Sequence, residues 1–435
     1  MNSLNQSSSV VSKFSPVVAW LAASLFFWLP INKAPFNIHF FLLLLCGLYV
    51  LIAKPLLSHN FKQVWAHSLR PALTHPMSIW LVGLFCLYAL SLIYTIAPSQ
   101  VAIDQLWRHR HLLYPLVLLP FLLDEVVRRR AFWFLFASCV LILGLSFLVQ
   151  FELIPLSIKH ALNFGDFSDG KYRSGEVFQD YLRQTIQMSW LFGFCLIKLP
   201  QFRLMSWRWM ALLVVAVLTA INMVGVLQGR TGYILLVVIL LWYGYRYLGW
   251  RGLIGMCVLS AVGFGAAYFT SSAFKQRIDM TIAQAKNPAY EEPDGRISNP
   301  RTLMWETALS ASMENPWFGY GVRGYPALIQ TYPSLLDANA KTYTDPHNQF
   351  IFILVELGWV GLVFFMFGLA RLIRSAWQHP QRDLMWLSLI IFGVAGLTNV
   401  HFNMAYPYQF FVGMLCLSFG SLGSFGSTMA KRQPD

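Results

Sequence analysis

The sequence predicts an all-α protein that crosses a membrane about twelve times. Of its 435 residues, 57% are hydrophobic and only 12% are charged, whereas soluble domains carry about 25% charged residues. The mean hydropathy is +0.53. Apolar runs recur along the chain, and backbone groups in hydrocarbon must find their hydrogen bonds within a helix. This composition excludes a cytosolic enzyme, a disordered protein and a fibrous repeat.

Twelve apolar runs are candidate spans, of which the fourth is short. They cover residues 14–31, 36–53, 77–97, 111–123, 131–151, 184–199, 208–227, 231–248, 252–270, 347–370, 384–403 and 405–427. The first run does not resemble a cleavable signal peptide, because Lys13 is its only preceding basic residue and no small-residue cleavage site follows it. We therefore expect one membrane-embedded domain over residues 1–435, with a large loop at 271–346.

The charge imbalance predicts the orientation. Basic residues exceed acidic residues by 32 to 19, which gives a net charge of +13. With the N-terminus inside the cell, the cytoplasmic segments hold 17 of the basic and 4 of the acidic residues. This split follows the positive-inside rule and leaves the outer face neutral. The net charge thus does not indicate a nucleic-acid partner, and both termini are expected in the cytoplasm.

No metal site, cofactor site or disulfide framework is predicted. The six cysteines all lie inside apolar runs, and no CxxC pair, Walker loop, GxSxG or HExxH occurs. The tight acidic groups of the outer face, Glu291-Glu292-Pro293-Asp294 and Asp166-x-x-Asp169, lack histidine or cysteine partners at ligand spacing.

The loop at 271–346 is expected to carry the chemistry, because long loops are uncommon unless they are functional. Asn299-Pro300 is a helix start, residues 301–314 contain no glycine or proline, and Asn315-Pro316 stops the helix. The following stretch, Gly319-Tyr320-Gly321-Val322-Arg323-Gly324-Tyr325, predicts a turn that presents Tyr320, Arg323 and Tyr325.

Asp345-Pro346-His347-Asn348 lies where this loop returns to the membrane. A neutral imidazole can accept a proton near pH 7, and Asp345 is near enough in sequence to orient it. In the alternative interpretation Asp345 caps a helix and His347 is merely polar. Glu356 follows inside an apolar span, where a carboxylate costs about 2.5–3.5 kcal/mol. It either faces a cavity or braces the bundle as a neutral group.

Arginines at the outer boundary are candidate anion ligands. Arg230 closes the short Gln228-Gly229-Arg230-Thr231-Gly232 turn between the seventh and eighth runs, where a guanidinium can bind a phosphate through two hydrogen bonds. The alternative is an arginine that snorkels to lipid phosphates.

Arg301 stands in the first turn of the loop helix, where a cation opposes the helix dipole. It either binds an anion or pairs with Glu306 or Glu292 on the surface. Arg108 and Arg110, at the outer start of the fourth run, either face an anionic headgroup or anchor the chain at the interface.

Three motifs together resemble one family. They are Arg230-Thr231-Gly232; Arg301-x-x-x-Trp305 before Asn315-Pro316-x-x-Gly319-x-Gly321; and His347-Asn348 before Glu356-x-Gly358-x-x-Gly361. Their order and spacing between about residues 210 and 370 are similar to the bacterial O-antigen ligase and O-antigen polymerase superfamily. The Gln228-Gly229 lead-in departs from the serine that is more common in that family.

The resemblance implies an inner-membrane glycosyltransferase with a periplasmic active site. Glycan on undecaprenyl diphosphate would be transferred to the lipid A–core oligosaccharide by a metal-independent, inverting displacement. His347 would be the base, and Arg230 and Arg301 would bind the donor diphosphate. Supporting roles would fall to residues near them in the motifs and at the outer boundary, namely Asp345, Asn348, Arg323, Tyr320, Glu356, Arg108 and Arg110.

Three other functions stay open on the sequence. An O-antigen polymerase would use the same residues, and a protein O-oligosaccharyltransferase would use a serine or threonine acceptor. A lipid-linked glycan transporter or flippase would account for twelve spans with Glu356 as a coupling carboxylate. Such a transporter would be expected to contain two related halves, and the sequence has no such repeat.

Overall fold

The computed structural model describes residues 14–154, 175–227, 229–286, 300–331, 344–377, 379–403 and 405–422. All regular structure in this part of the chain is helical, which confirms the predicted all-α class. The α-helices are α1 Pro16–Trp28, α2 Lys33–Leu48, α3 Lys54–Leu57, α4 Phe61–Val64, α5 Arg70–Leu73, α6 Pro76–Ser91, α7 Ser99–His109, α8 Tyr114–Leu122, α9 Glu125–Gln150, α10 Tyr181–Lys198, α11 Trp207–Ile221, α12 Arg230–Thr270, α13 Ser272–Lys286, α14 Pro300–Glu314, α15 Gly324–Thr331, α16 Gln349–Trp377, α17 Arg382–Thr398 and α18 Ala405–Phe419. Short π or 3-10 turns extend several of them, at Tyr49–Ala53, Trp65–Leu69, Arg110–Leu113, Leu199–Gln201 and Asn222–Leu227.

The predicted count of twelve spans is not confirmed. Among the described residues, five helical stretches are long and apolar enough to cross a membrane, and a sixth is formed if two helices bent by 61° are counted together. The five are Lys33–Leu57, Glu125–Gln150, Trp207–Leu227, Arg230–Thr270 and Gln349–Trp377, and the bent pair is Phe61–Leu73 with Pro76–Ser91. The other apolar runs also coincide with helices, but these are shorter; the fourth run yields only the nine residues of α8.

One long helical stretch, α12, contains a sharp reversal at Gly249, whose φ is +63°. A Cβ atom placed on Gly244 would lie 2.6 Å from the carbonyl oxygen of Gly252. Eight residues of straight helix would separate these positions by about 12 Å, so the two arms must fold back on each other. The predicted runs 231–248 and 252–270 are therefore the two arms of a close-packed hairpin.

The predicted run 384–403 is too long at its C-terminal end. Helix α17 ends at Thr398, and Asn399 is extended with φ −158° and ψ 161°. Residues 399–403 instead form a loop before α18. Val400 and Phe402 are apolar and are buried against the core. Because of these two residues, the hydropathy pattern does not distinguish the loop from the helix before it.

Helix α16 is broken at Gly358, and the segment 315–321 fills the break. The Gly358 φ is +64°, and a Cβ atom there would lie 2.3 Å from the carbonyl oxygen of Trp317. The backbone N–H of Trp359 donates to Pro316 O at 2.7 Å, and the N–H of Gly321 donates to Glu356 O at 2.8 Å. Glycine at position 358 therefore allows the segment 315–321 to interlock with α16, because a side chain at this position would exclude the segment.

The predicted helix in the large loop is confirmed as α14, which begins at Pro300 and ends at Glu314. A small hydrophobic cluster joins α14 and α15 to the start of α16. Its buried members include Ala308, Tyr325, Leu328 and Phe352. The main core lies between the long helices, so the loop helices stand on one end of the bundle.

Candidate functional site

The start of α16 positions His347. The Oδ1 atom of Asn348 accepts hydrogen bonds from the backbone N–H groups of Phe350 at 3.0 Å and Ile351 at 3.1 Å. Asn348 therefore caps the helix, and the alternative interpretation that Asp345 is the cap is wrong. His347 lies just outside the helix with a φ of +50°, in the left-handed region where Asn, Asp and His are enriched among non-glycine residues.

Asp345 is buried, with only 4% of its surface exposed, and is held from two sides. Its Oδ1 accepts the backbone N–H of His347 at 3.0 Å. Its Oδ2 accepts a hydrogen bond from Asn403 Nδ2 at 2.8 Å. The side chain of Asn403 in turn accepts from Gln105 Nε2 at 3.3 Å, so the 399–403 loop and α7 both fix this carboxylate.

The imidazole of His347 is oriented by two oxygen atoms. Its Nδ1 lies 3.5 Å from Asp345 Oδ1 and 3.5 Å from Asn399 Oδ1. Two acceptors beside Nδ1 favour the tautomer with the proton on that nitrogen, which places the lone pair of the neutral ring on Nε2. The side chain is 27% exposed. The ring can therefore act as a base towards a group that approaches from outside.

Burial lowers the pKa of His347 below its ordinary value of 6.5, and this is the largest influence on it. The charge of Arg301 lowers the pKa further, whereas Asp345 and Asn399 raise it. The net direction is downward, so the ring is neutral at pH 7. A neutral imidazole is the form that accepts a proton.

Arg301 reaches the same place through α14. The Nε1–H of Trp305, one turn further along, donates to Pro346 O at 2.8 Å and docks the helix on the His347 segment. Arg301 is close enough for its charge to affect the titration of His347. The structure thus brings together the first arginine of the loop helix and the candidate base, which are 46 positions apart in the chain.

Arg230 begins α12, with Gly229 at the N-cap, and the predicted tight turn is confirmed apart from Gln228, which lies outside the described residues. Thr231 Oγ1 lies 2.9 Å from Thr398 Oγ1, and Thr398 immediately precedes Asn399. A Cβ atom on Gly232 would lie 2.2 Å from Thr185 Cγ2. Gly232 therefore permits close packing of α12 against α10.

Arg323 is close enough to Glu356 and Asp345 for both to influence its pKa. It is partly buried, its φ is +63°, and burial is the main influence that lowers its pKa. The charges of Glu356 and Asp345 oppose this effect, and that of Arg108 adds to it. Glu356 is fully buried, whereas Arg108 is exposed on α7, one turn after Gln105.

Arg110 and Tyr320 have other partners. Arg110 Nη1 donates to Trp107 O at 2.7 Å, and its guanidinium lies 5.0 Å from the centre of the Trp107 ring. This geometry fits the interfacial anchor. The hydroxyl of Tyr320 lies 3.0 Å from Ala311 O and 3.2 Å from Glu314 Oε2, so it fastens the end of α14. Tyr320 and Tyr325 are both buried, and the prediction that this turn presents them is wrong.

Sequence reasoning missed the polar residues that hold the His347 segment. The apolar run predicted at 384–403 includes Asn399 and Asn403, and Gln105 belongs to none of the predicted motifs. Gln349 was also overlooked, although its Oε1 accepts the backbone N–H groups of His401 at 2.7 Å and Phe402 at 2.9 Å. One sequence signal does point to this loop: Asn399 and Asn403 lie on either side of His401 inside the apolar run 384–403.

The described residues contain no group of three or more His, Cys, Asp or Glu side chains that could hold a metal ion. Both acidic groups noted in the sequence, at 291–294 and 166–169, lie outside the described residues. The six cysteines are free thiols.

The fold and this site define a multi-helix membrane protein with a histidine, a carboxylate and arginines gathered at one end of its helices. The family model for O-antigen ligase matches residues 214–366, a segment that contains Arg230, Arg301 and His347. This match covers about a third of the chain and supports the resemblance to the O-antigen ligase superfamily that the motifs predicted. No curated protein sequence matches the chain.

Proposed function

We propose that this protein is an O-antigen ligase. It transfers glycan from undecaprenyl diphosphate to a hydroxyl group of the lipid A–core oligosaccharide, on the periplasmic face of the bacterial inner membrane, and so completes lipopolysaccharide. The observation that carries the proposal is the orientation of His347 by Asp345 and Asn399, with Arg301 beside it. These residues, except Asn399, lie in the segment that matches the O-antigen ligase family.

In the proposed reaction, Nε2 of His347 takes the proton of the acceptor hydroxyl. The acceptor oxygen then bonds to the anomeric carbon of the donor sugar while the bond from that carbon to the diphosphate oxygen breaks. The electron pair of the broken bond leaves with undecaprenyl diphosphate, and a single displacement inverts the anomeric configuration. Positioned bases of this kind contribute about 10²- to 10⁴-fold to a rate.

Arg230 and Arg301 are proposed to bind the departing diphosphate. Guanidinium groups match phosphate oxygens through paired hydrogen bonds and stabilise charge that develops on the leaving group. The proposal needs no metal ion, because these two cations supply the compensating charge. Asp345 would orient His347, Asn348 would fix the start of α16, and Arg323 would add charge at the same end.

Arg108 is an exposed cation on α7, the helix whose Gln105 contacts Asn403, and we propose that it lies on the surface that receives the substrates. Glu356 is proposed to support the turn that carries Arg323 from within the bundle, since it is buried and its backbone oxygen accepts the N–H of Gly321. Arg110 and Tyr320 are proposed to have structural roles. Arg110 anchors the chain through Trp107, and Tyr320 holds the end of α14.

The pH dependence of transfer tests the environment of His347. Because the neutral ring is the base, kcat/KM is expected to fall as the pH drops through the pKa of His347, which lies below 6.5. Asp345→Asn removes a charge that raises this pKa, so the acid limb should move to lower pH. Arg301→Gln removes a charge that lowers it, so the acid limb should move to higher pH.

These two shifts are measured from pH–rate profiles of the purified variants, whatever their maximal rates. Shifts in the same direction for both variants, or none in either, would show that the acid limb does not report His347.

The acceptor and the need for metal are tested with purified protein and a lipid-linked glycan donor. A ligase is expected to place glycan on lipid A–core, with and without EDTA. Extension of a second lipid-linked glycan would indicate a polymerase, and transfer to serine or threonine would indicate a protein O-oligosaccharyltransferase. Movement of the donor across the membrane with no transfer would indicate a flippase. Activity lost in EDTA and restored by Mg²⁺ would overturn the metal-independent mechanism.

A further inference from the structure

A polar cavity lies at the opposite end of the helices from His347. Helix α17 runs from Arg382 to Thr398, which places its first residue roughly 25 Å from the Thr398 contact with the Arg230 turn. The cavity has a volume of about 270 Å³ and is lined by residues of α9, α10 and the start of α17. Its charged and polar lining includes Glu125, Arg128, Arg129, Lys198, Gln381 and Asp383.

Positive charge predominates in this cavity. Three basic side chains line it, against two acidic ones. Of the acidic pair, Asp383 is already engaged, because its carboxylate accepts hydrogen bonds from Arg246 Nε at 2.9 Å and Tyr247 Oη at 2.8 Å. Glu125 is exposed at the rim. Glu125 and the neighbouring Asp124 both act on Arg128, so the excess positive charge of the cavity lies mainly on Arg129 and Lys198.

The arginine deepest in the cavity, Arg128, is held in place. It is only 4% exposed, and its Nη1 donates to Leu122 O at 2.8 Å. A guanidinium has five N–H donors, so this bond fixes the group without exhausting its capacity. On the facing helix α10, Lys198 Nζ donates to Gln201 Oε1 at 3.2 Å, which keeps the ammonium at the cavity.

The start of α17 adds a further attraction for anions. Gln381 is the N-cap, and its side chain makes no capping hydrogen bond. The first-turn residues Asp383 and Leu384 line the cavity. Backbone N–H groups in the first turn of a helix have no acceptor within that helix and favour negative charge. The cavity therefore combines a buried guanidinium, two further cations and a helix N-terminus.

We propose that this cavity binds the phosphate of an anionic phospholipid headgroup. The positive-inside orientation puts it at the cytoplasmic leaflet, where anionic lipids are attracted to basic pockets between helices. Apolar Phe132, Ile197 and Leu384 line the same cavity, and such a wall suits a lipid rather than a free phosphate ion. The site is separate from the His347 site, so it stands whether or not the proposed transferase function is correct.

The test uses the full-length protein in neutral detergent, with binding of phosphatidylglycerol and phosphatidylcholine measured by native mass spectrometry. Phosphatidylglycerol is expected to bind in preference to phosphatidylcholine. Each basic residue removed should weaken its binding about fivefold, so the double variant Arg129→Gln/Lys198→Gln should lose most of the preference. Arg128→Gln is tested on its own and not in the double variant, because the contact of Arg128 with Leu122 also supports the fold.

Arg371→Gln is the matched control, since Arg371 is exposed near the same end of the bundle but does not line the cavity. It should bind phosphatidylglycerol like the wild type. Equal binding of the two lipids, or equal loss in the control and the double variant, would overturn the proposal. Inorganic phosphate at millimolar concentration should not displace the lipid, and full displacement would replace the lipid assignment by a free-anion site.

Discussion

Replacing His347 with asparagine is expected to slow glycan transfer by about 10²- to 10⁴-fold while the protein still folds and inserts. Asparagine tolerates the left-handed backbone that His347 adopts at φ +50°, so the variant removes the base without straining the chain. His347→Ala should lose transfer to a similar extent. The measurement is single-turnover transfer, with purified protein in excess over the acceptor and donor in excess over both.

The control for this prediction is His67→Asn, because His67 is an exposed histidine whose Nδ1 lies 2.8 Å from Gln63 O on its own helix. Its transfer rate should equal that of the wild type. Each variant should also elute as a monodisperse peak with an unchanged melting temperature. A folded His347→Asn protein with nearly full activity would show that another group deprotonates the acceptor.

Removing the guanidinium of Arg230 or Arg301 is expected to lower kcat by about 10²- to 10³-fold, the usual loss for one preorganised group that stabilises transition-state charge. Arg230→Gln and Arg301→Gln should also raise KM for the donor, because the diphosphate is charged before the reaction begins. Arg230→Lys should recover only part of the activity, since an ammonium cannot form the paired hydrogen bonds of a guanidinium.

Steady-state kinetics with varied donor separate these effects on kcat and KM. Arg374→Gln is the control, because Arg374 is exposed near the opposite end of α16, and its kinetics should be unchanged. Equal losses for Arg374→Gln and Arg230→Gln would indicate a general loss of folded protein. Unchanged donor kinetics in both Arg230→Gln and Arg301→Gln would assign the diphosphate to other cations.

Local signals made several features predictable. The helix of the large loop was bounded by proline at its first position and by Asn315-Pro316 after its end, and α14 has those limits. The Arg230 turn followed from two apolar runs with almost no residues between them. His347 was identified because a titratable group stood where the loop meets an apolar run. Each of these signals lies within a few neighbouring residues.

The support for His347 was not predictable in the same way. Asn399 and Asn403 lie 52 and 56 positions after His347. They belong to a loop that hydropathy does not separate from the preceding span, because the residues around the asparagines are apolar. Hydropathy averages over a window, so it cannot separate a buried loop from a helix when both are apolar. The predicted count of twelve spans is not confirmed among the described residues, because an apolar run reports burial or membrane contact but not helix length.

The sequence by itself determined the membrane class, the all-helical fold and the loop helix, and it supplied the candidate site residues, because these depend on composition and on short-range caps and breaks. Only the tertiary structure decided which residues meet. It brought Arg301 beside His347, linked Asp345 to Asn403 and Gln105, and filled the break at Gly358 with the segment 315–321. These contacts join distant parts of the chain, and their geometry depends on how the helices pack.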